Sequence, residues 1–543
     1  MANKRLFDTR AATAQTDTVN ESGGVAYQFT PKHALAQYAV TGCLSNTYYA
    51  SAKDQLDKVL ELCNDVDPEF IGKVAVYARQ KGYMKDMPAL LACVLASKDV
   101  AVLKRVFPKV IDNGKMLRTF AQILRSGVTG RKSFGSSVKK LMISWLDKQT
   151  DDGLFKQSVG NNPSMADVIK MLHPKPTTKS RETLYAYLIG KKEKVNKRYL
   201  PAVVKQYEAF KEGKTKEVPD ISFLFLASLE LDRDAWIEIA RNASWQTVRM
   251  NLNTFARHDV YESPEMIKLL ADKLRDGNEI RRARVFPYQL LAAYMNTEDG
   301  NVPRELRNAL QDAMEIAVSN VPAFDGQVFC FPDVSGSMSS PVTGDRDEEQ
   351  KGRGKHKGSA SKVRCIDVAA LMAASVLRRN PSAEVIPFEG HVVDLKLNPR
   401  DSIMTNAEKL ASIGGGSTNC SAPLALLNQR RAKGDVCMYV SDQESWIDGK
   451  AHTSGYGCYA GHRGAAATAT MEQWEQFRKR NPNAKLVCID VQANDSTQVT
   501  GKKHPEILNV GGFNDQVFSV VDAFVKNDLG SQRWIDEIDS TVL

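Results

Sequence analysis

The chain has 543 residues, 43% hydrophobic and 25% charged, with a formal net charge of +9. That length exceeds one typical core and predicts two or more domains, and the mixed composition excludes a disordered or fibrous chain. No apolar run approaches the roughly 20 residues that span a bilayer, Met1–Asn20 lacks a signal-peptide core, and the nine cysteines contain no C-x-x-C pair, so the cytoplasm is the expected location.

The positive charge is concentrated. Residues 101–200 hold 21 Lys and Arg against 7 Asp and Glu, whereas residues 326–543 hold 25 against 26. Most charge runs are solvated faces. A basic segment beside a nearly neutral one nonetheless favours a polyanionic partner.

Taken in order, residues 1–25 read as a flexible N-terminal arm, and residues 26–325 as serial amphipathic helices. Phe70, Val74 and Tyr77 recur at helical spacing, as do Met116, Phe120 and Leu124. Val138, Leu141, Met142, Trp145 and Leu146 complete an apolar stripe on a helix over 136–148. With few strand-like alternations before residue 325 and no strict period, an α-helical HEAT-like repeat is predicted.

The basic residues of this half cluster around one helix and the chain that follows it. Gly130–Gly135 is a loop carrying Arg131 and Lys132. Lys139 and Lys140 lie about 100° and about 200° from Val138, off the apolar stripe. Ser164 with Asp167 is a capping-box start for a helix that carries Lys170 and stops at His173, since Pro174 follows. Lys175 continues as a polar loop rich in Thr and Ser. Cations and hydroxyls of this kind suit phosphates. Without RNA, the lysines would be ordinary surface residues and His173 a helix-end cap.

At residue 326 the pattern changes to strand–helix alternation, with strands predicted at 327–332, 384–388, 392–397, 436–441 and 485–491. Helices are predicted at 362–379, 402–412, 421–432, 466–480 and 515–526. This is a doubly wound α/β domain over 326–543. Two polar stretches, 339–361 and 446–464, interrupt it as loops. The first strand ends in Asp333-x-Ser335-x-Ser337, a glycine-rich loop ends in Thr418, and the fourth strand runs into Asp442. Oxygen ligands at strand ends suit a hard divalent cation, Mg²⁺ or Mn²⁺.

Those five positions, in order and in their local context, resemble the metal-ion-dependent adhesion site of von Willebrand factor A domains. A second resemblance lies in the first half. The stretches LSNTYYAS (44–51), LRTFAQILRSGVTGRKSFGSSVKKLMISWL (117–146), DVIKMLHPKP (167–176) and RVFPYQLLAAY (284–294) look like the TROVE domain. A TROVE domain followed by an A domain is the layout of the Ro autoantigen family and its bacterial, Rsr-like members. The resemblance implies a closed ring of helical repeats that binds Y-type structured RNA outside and single-stranded or misfolded RNA 3′ ends through its hole. It further implies a 3′-to-5′ exoribonuclease partner. It carries RNA contacts onto Lys139, Lys140 and His173, and by spacing onto Lys156.

The expected function is therefore a non-catalytic, monomeric RNA-binding protein acting in RNA quality control or decay. The other class left open is a protein-interaction module whose A domain binds an acidic side chain through its metal, the helices serving as scaffold. A hydrolase is disfavoured, because the chain has no Ser/His/Asp order, paired-carboxylate motif or H-E-x-x-H signature.

Overall fold

Runs of five or six consecutive apolar residues leave no polar face to solvent, so they require cover on both sides, as parallel strands have. The computed structural model describes residues 14–42, 44, 50–283, 285, 287–297, 300–318, 321–342, 361–447, 467–513, 515–527 and 530–543. These divide into two units, one of residues up to Gln55 with Ser319–Glu537, the other of Leu56–Val318 with Ile538–Leu543.

In the first unit a short hairpin pairs β1 (Thr18–Val19) with β2 (Val25–Gln28), and helix α1 spans Pro31–Thr41. The main sheet contains β3 (Val328–Pro332), β4 (Glu384–Val385), β5 (Val436–Ser441), β6 (Lys485–Asp490) and β8 (Ile507–Gly511). Between the last two lies β7 (Ser496–Thr497), which pairs with β2 and not with the main sheet. The main sheet is wholly parallel, in the order β4-β3-β5-β6-β8. Numbered from its own first strand this is the order 2-1-3-4-5. Connections leave β3 toward one edge and then return to the other side of it at β5. The carboxyl ends of β3 and β5 therefore flank the point where strand order reverses, which is where open α/β sheets form their crevice. Helices over Cys365–Arg379, Ile403–Ala411, Ala422–Gln429, Ala469–Arg478 and Asp515–Asn527 cover the sheet. Phe331, Phe388 and Tyr439 form one aromatic cluster, with Tyr439 centroids 4.8 Å from Phe331 and 5.7 Å from Phe388.

The expected strand at 392–397 does not form. Its alternating pattern is genuine, but Pro387 and Gly390 turn the chain beside the edge strand, and Val393 donates back to the Pro387 carbonyl at 2.9 Å. That leaves an isolated bridge between Phe388 and Val392 instead of a ladder. The N-terminal residues also differ from expectation, since those from Ala14 onward pack into the α/β unit and carry two strands. Residues 1–13 of the predicted arm lie outside the described residues. So do most of LSNTYYAS, 343–360 of the first polar stretch and 448–466 around the second.

The second unit is helical and repeat-like. Its first helices are α2 (Ala52–Asp65), α3 (Pro68–Gln80), α4 (Asp86–Lys98), α5 (Val100–Val110), α6 (Gly114–Ser126), α7 (Gly135–Lys148), α8 (Asp151–Lys156), α9 (Met165–Leu172) and α10 (Lys179–Leu188). Several start where the sequence offers a cap. Asp67 accepts from Phe70 N–H at 2.9 Å, Asp99 from Ala101 at 2.8 Å, and Asn113 from Met116 at 3.0 Å. Helix α3 packs on α4 and α5, α4 on α6, α5 on α7, and α6 and α7 on α9. Contact with the next helix and the next but one is how a solenoid buries its apolar faces.

One arginine ties α7, α8 and α10 together. Arg181 is buried and donates to the Asp151 carboxylate at 2.5 Å and the Leu146 carbonyl at 2.9 Å, with a further bond to the Gln149 carbonyl. Removing it strands a partly buried carboxylate and two carbonyls. Arg181→Ala should destabilise the helical unit by about 3 kcal/mol. Hydrogen exchange should report loss of protection concentrated in α7–α10, with the parallel sheet unaffected. Uniform loss over both units would contradict this.

Candidate metal centre and nucleic-acid interface

All five predicted metal ligands converge at the switch point. Asp333 follows β3, Ser335 and Ser337 lie in the next turn, Thr418 ends the glycine-rich loop, and Asp442 follows β5. Each is buried, at most 4% exposed. The Ser335 and Ser337 hydroxyls are 3.2 Å apart, Ser335 N–H donates to Asp333 Oδ1 at 2.9 Å, and Ser441 Oγ donates to Asp333 Oδ2 at 2.5 Å. Asp442 Oδ1 accepts from Glu444 N–H at 3.1 Å. Its Oδ2 is buried and finds no hydrogen-bond partner among the described residues.

The electrostatics of this edge are one-sided. Burial, with the nearby Asp442 charge, pushes the Asp333 carboxyl up to about 7. Burial also raises Asp442, although the Ser337 hydroxyl offsets part of the shift. Glu444 and Asp490 are both raised well above the usual carboxylate range by burial, and Asp442 adds to both. Four buried carboxyl groups thus share the carboxyl end of the sheet, and among the described residues no Lys, Arg or His is ion-paired to any of them. The site residues offer only oxygens, two carboxylates and three hydroxyls, which suits a small hard cation. Among the described residues there is no cluster of three or more His, Cys, Asp or Glu that would suggest a softer metal.

The N-terminal segment frames this site, which no local pattern of residues announces. The Ser22 N–H donates to Glu444 Oε2 at 2.9 Å, its hydroxyl to the Glu444 carbonyl at 3.1 Å, and Asn20 Nδ2 to the Ser445 carbonyl at 2.8 Å. Gly24 packs so closely on Ser445 that a Cβ there would collide with its carbonyl oxygen. Ser445 in turn accepts from Cys420 N–H at 3.0 Å through its hydroxyl, which points back to the Thr418 carbonyl at 3.4 Å. From α1, Gln37 donates to Asp490 at 2.6 Å, and Gln443 donates to the other oxygen of that carboxylate. The available signal was composition alone, Asn20-x-Ser22-x-Gly24, a turn-like pattern too common to assign.

The predicted basic residues separate into two groups. Lys132, Lys140, Lys170, His173 and Lys175 are exposed and Lys139 half-buried. They lie on α7, on α9 against which it packs, and on the loops adjoining them. None of the five lysines forms an ion pair among the described residues. Arg131 and Lys156 are engaged elsewhere. The Arg131 guanidinium donates to the carbonyls of Ala96, Ser133 and Phe134 at 2.6–2.8 Å, which fixes the loop before α7. Lys156 pairs with Asp220 at 2.6 Å. The capping box forms as read, with Asp167 N–H donating to Ser164 Oγ at 3.1 Å. His173 closes α9 in the left-handed conformation, φ 50° and ψ 54°, with its N–H on the Ile169 carbonyl.

Comparison with known proteins agrees with this architecture. Residues 331–525 match the family model described as the Ro60 vWA domain. Over 94% of its length the chain is 22% identical to the RNA-binding protein RO60 of Deinococcus radiodurans, covering 95% of that protein. It is 23% identical to the RNA-binding protein RO60 of Caenorhabditis elegans over 47% of this chain and 36% of that one. The crystal structure of the Deinococcus radiodurans RO (RSR) protein superposes with a TM-score of 0.58 at 20% identity, covering 92% of this chain and all of that one. Its fold is therefore shared with this chain. Residues 331–525 thus carry a domain that matches the Ro60 vWA model, and over nearly its whole length the chain is similar to a bacterial Ro protein whose fold it shares.

Proposed function

We propose that this chain is a non-catalytic RNA-binding protein of the Ro type. It binds small structured, Y-like noncoding RNA and single-stranded RNA 3′ ends, and serves RNA quality control or decay, with a 3′-to-5′ exoribonuclease as working partner. The observation carrying the RNA reading is the group of exposed lysines on α7, α9 and their loops that have no carboxylate partner. Lysines left unpaired are available to phosphates, and each phosphate neutralised releases counterions. The names of the Deinococcus and Caenorhabditis relatives support the same reading. No described helix is long and apolar enough to cross a membrane.

We propose further that the α/β unit holds Mg²⁺ or Mn²⁺ through Asp333, Ser335, Ser337, Thr418 and Asp442. Four buried carboxylates without a cation, one of them with an unpartnered oxygen, support this. When bound, the ion would supply positive charge and an acceptor position for an outside oxygen. The chain's own contribution is to hold the two carboxylates and three hydroxyls in a water-poor recess.

Lys139→Glu combined with Lys140→Glu should weaken binding of a structured RNA at least tenfold near 0.1 M salt and flatten its salt dependence by about one to two log units per log unit of salt. The thermal melt should stay within about 0.5 kcal/mol of wild type, because neither side chain is core. Unchanged affinity would remove α7 from the interface.

His173 separates binding from stability. A residue with a Cβ in the left-handed region is strained, so His173→Gly should hold or gain stability by up to about 1 kcal/mol. If the imidazole meets RNA, affinity should fall several-fold in the same variant. Unaltered affinity would leave His173 as a helix cap only.

For the metal, Mg²⁺ should raise the melting temperature of the wild type according to its concentration over its dissociation constant. Asp333→Ala should abolish that rise while keeping RNA affinity. Equal stabilisation of both proteins would exclude these five residues as the site.

A further inference from the structure

We propose that the segment Gly190–Tyr199, folded back along α10, is a second phosphate-binding surface that extends the RNA footprint beyond His173. This rests on the RNA-binding reading above and names a part of the surface that the α7 and α9 residues do not include.

The segment reads GKKEKVNKRY, five cations against one carboxylate in ten residues. Gly190 adopts a left-handed conformation, φ +77°, which lets the chain reverse at the end of α10, with Lys191 N–H on the Ala186 carbonyl at 2.9 Å. The next residues form two single-turn 3-10 helices, Lys192–Lys194 and Lys197–Tyr199, and both pack against α10. The return is fixed at its far end. Tyr199 comes back beside the first residue of α10, with Lys179 Nζ 5.4 Å and the Arg198 guanidinium 5.8 Å from its ring. Lys205 Nζ holds the Arg198 carbonyl at 3.1 Å.

The consequence is a line of cations along one helix. Lys191, Lys192, Lys194, Lys197 and Arg198 are all exposed. None of the four lysines forms an ion pair among the described residues. The ten residues of α10 span about 15 Å, room for about four phosphates at about 3.4 Å of axis each. Because α10 packs on α9, whose last turn ends at His173, the line continues from the surface already described. Five like charges held together by a folded segment repel one another in the free protein. A polyanion relieves that repulsion, and an ordinary solvated face does not require such convergence. The groups are lysines in solvent with a half-buried tyrosine between two cations, so the surface grips backbone and carries no base code.

The test uses the full chain and a fluorescent RNA hairpin bearing a single-stranded 3′ tail. Changing Lys191, Lys192, Lys194 and Lys197 together to Gln should lower affinity at least tenfold near 0.1 M salt and reduce the slope of log affinity against log salt by about two to three units. The melt should not move, and changing the four to Arg should restore binding. If wild type and the Lys139/Lys140 variant differ while the Gln variant matches wild type, the segment is not part of the interface. If wild type itself does not bind, the RNA reading falls and this proposal with it. Normal RNA binding by a Gln variant that has lost binding to polyglutamate would assign the segment to an acidic protein and overturn the proposal.

Discussion

The α/β unit depends on a concentration of buried carboxyl groups to which no described side chain brings a positive charge. Asp333, Asp442, Glu444 and Asp490 are each at most 3% exposed. Taking a carboxylate out of water costs several kcal/mol unless it is paired or well hydrogen-bonded. Part of that cost is offset locally, by Ser441 on Asp333, by Gln37 and Gln443 on Asp490, and by the Ser22 amide on Glu444. These are neutral donors, and none supplies the positive charge that the pair Asp333 and Asp442 lacks. The parallel sheet explains why the groups meet here. Parallel register brings every strand's carboxyl end to one edge, and the reversal of order at β3 and β5 opens a recess between the two that carry the acids.

The same constraint accounts for the N-terminal segment. A loop carrying a buried acid at Asp442, a left-handed Gln443 and a buried Glu444 has little intrinsic preference for one conformation. Asn20, Ser22 and Gly24 supply the missing backbone partners, while β2 adds to β7 and α1 reaches Asp490. Fixing one φ/ψ pair costs about 1–2 kcal/mol. A short segment making several buried hydrogen bonds at once holds the loop at less entropic cost than the loop could manage alone. The segment therefore belongs to the frame of the buried carboxyl cluster, although it precedes the helical unit in sequence.

Much of this was legible from residues, for physical reasons that differ by region. β3, β5 and β6 are unbroken apolar runs bounded by polar loops, so their positions could be read to within a residue or so. That Asp333 and Asp442 share one end of the sheet followed because each was read at the carboxyl end of a strand. What could not be read depends on partners far along the chain. β1, β2 and β7 are two to four residues each, and β2 finds β7 only across more than 450 positions. The run 392–397 has the alternation of a strand, yet its turn back at Pro387–Gly390 leaves only the Phe388–Val392 bridge and no ladder. Among the cations, sequence could not separate Arg131 from Lys132. Only the fold shows that the arginine's planar fork is matched to three carbonyls, while the neighbouring ammonium stays in water.

That division between guanidinium and ammonium recurs at several points of the helical unit, although Lys273 also holds the Arg241 and Ala243 carbonyls. Arg79, Arg131, Arg181 and Arg249 each spend donors on main-chain carbonyls or carboxylates that set helix positions. The lysines of α7, of the loop after α9 and of Lys191–Lys197 are left facing solvent. Charge that is bound internally stabilises the fold and is nearly insensitive to salt, whereas unpaired surface charge is screened within about 10 Å at 0.1 M. The carbonyl- and carboxylate-bound arginines fall in the first class and the lysine surfaces in the second. Ionic strength is thus the variable on which the two kinds of group should part, since internally paired guanidinium groups are shielded from it and exposed lysines are not.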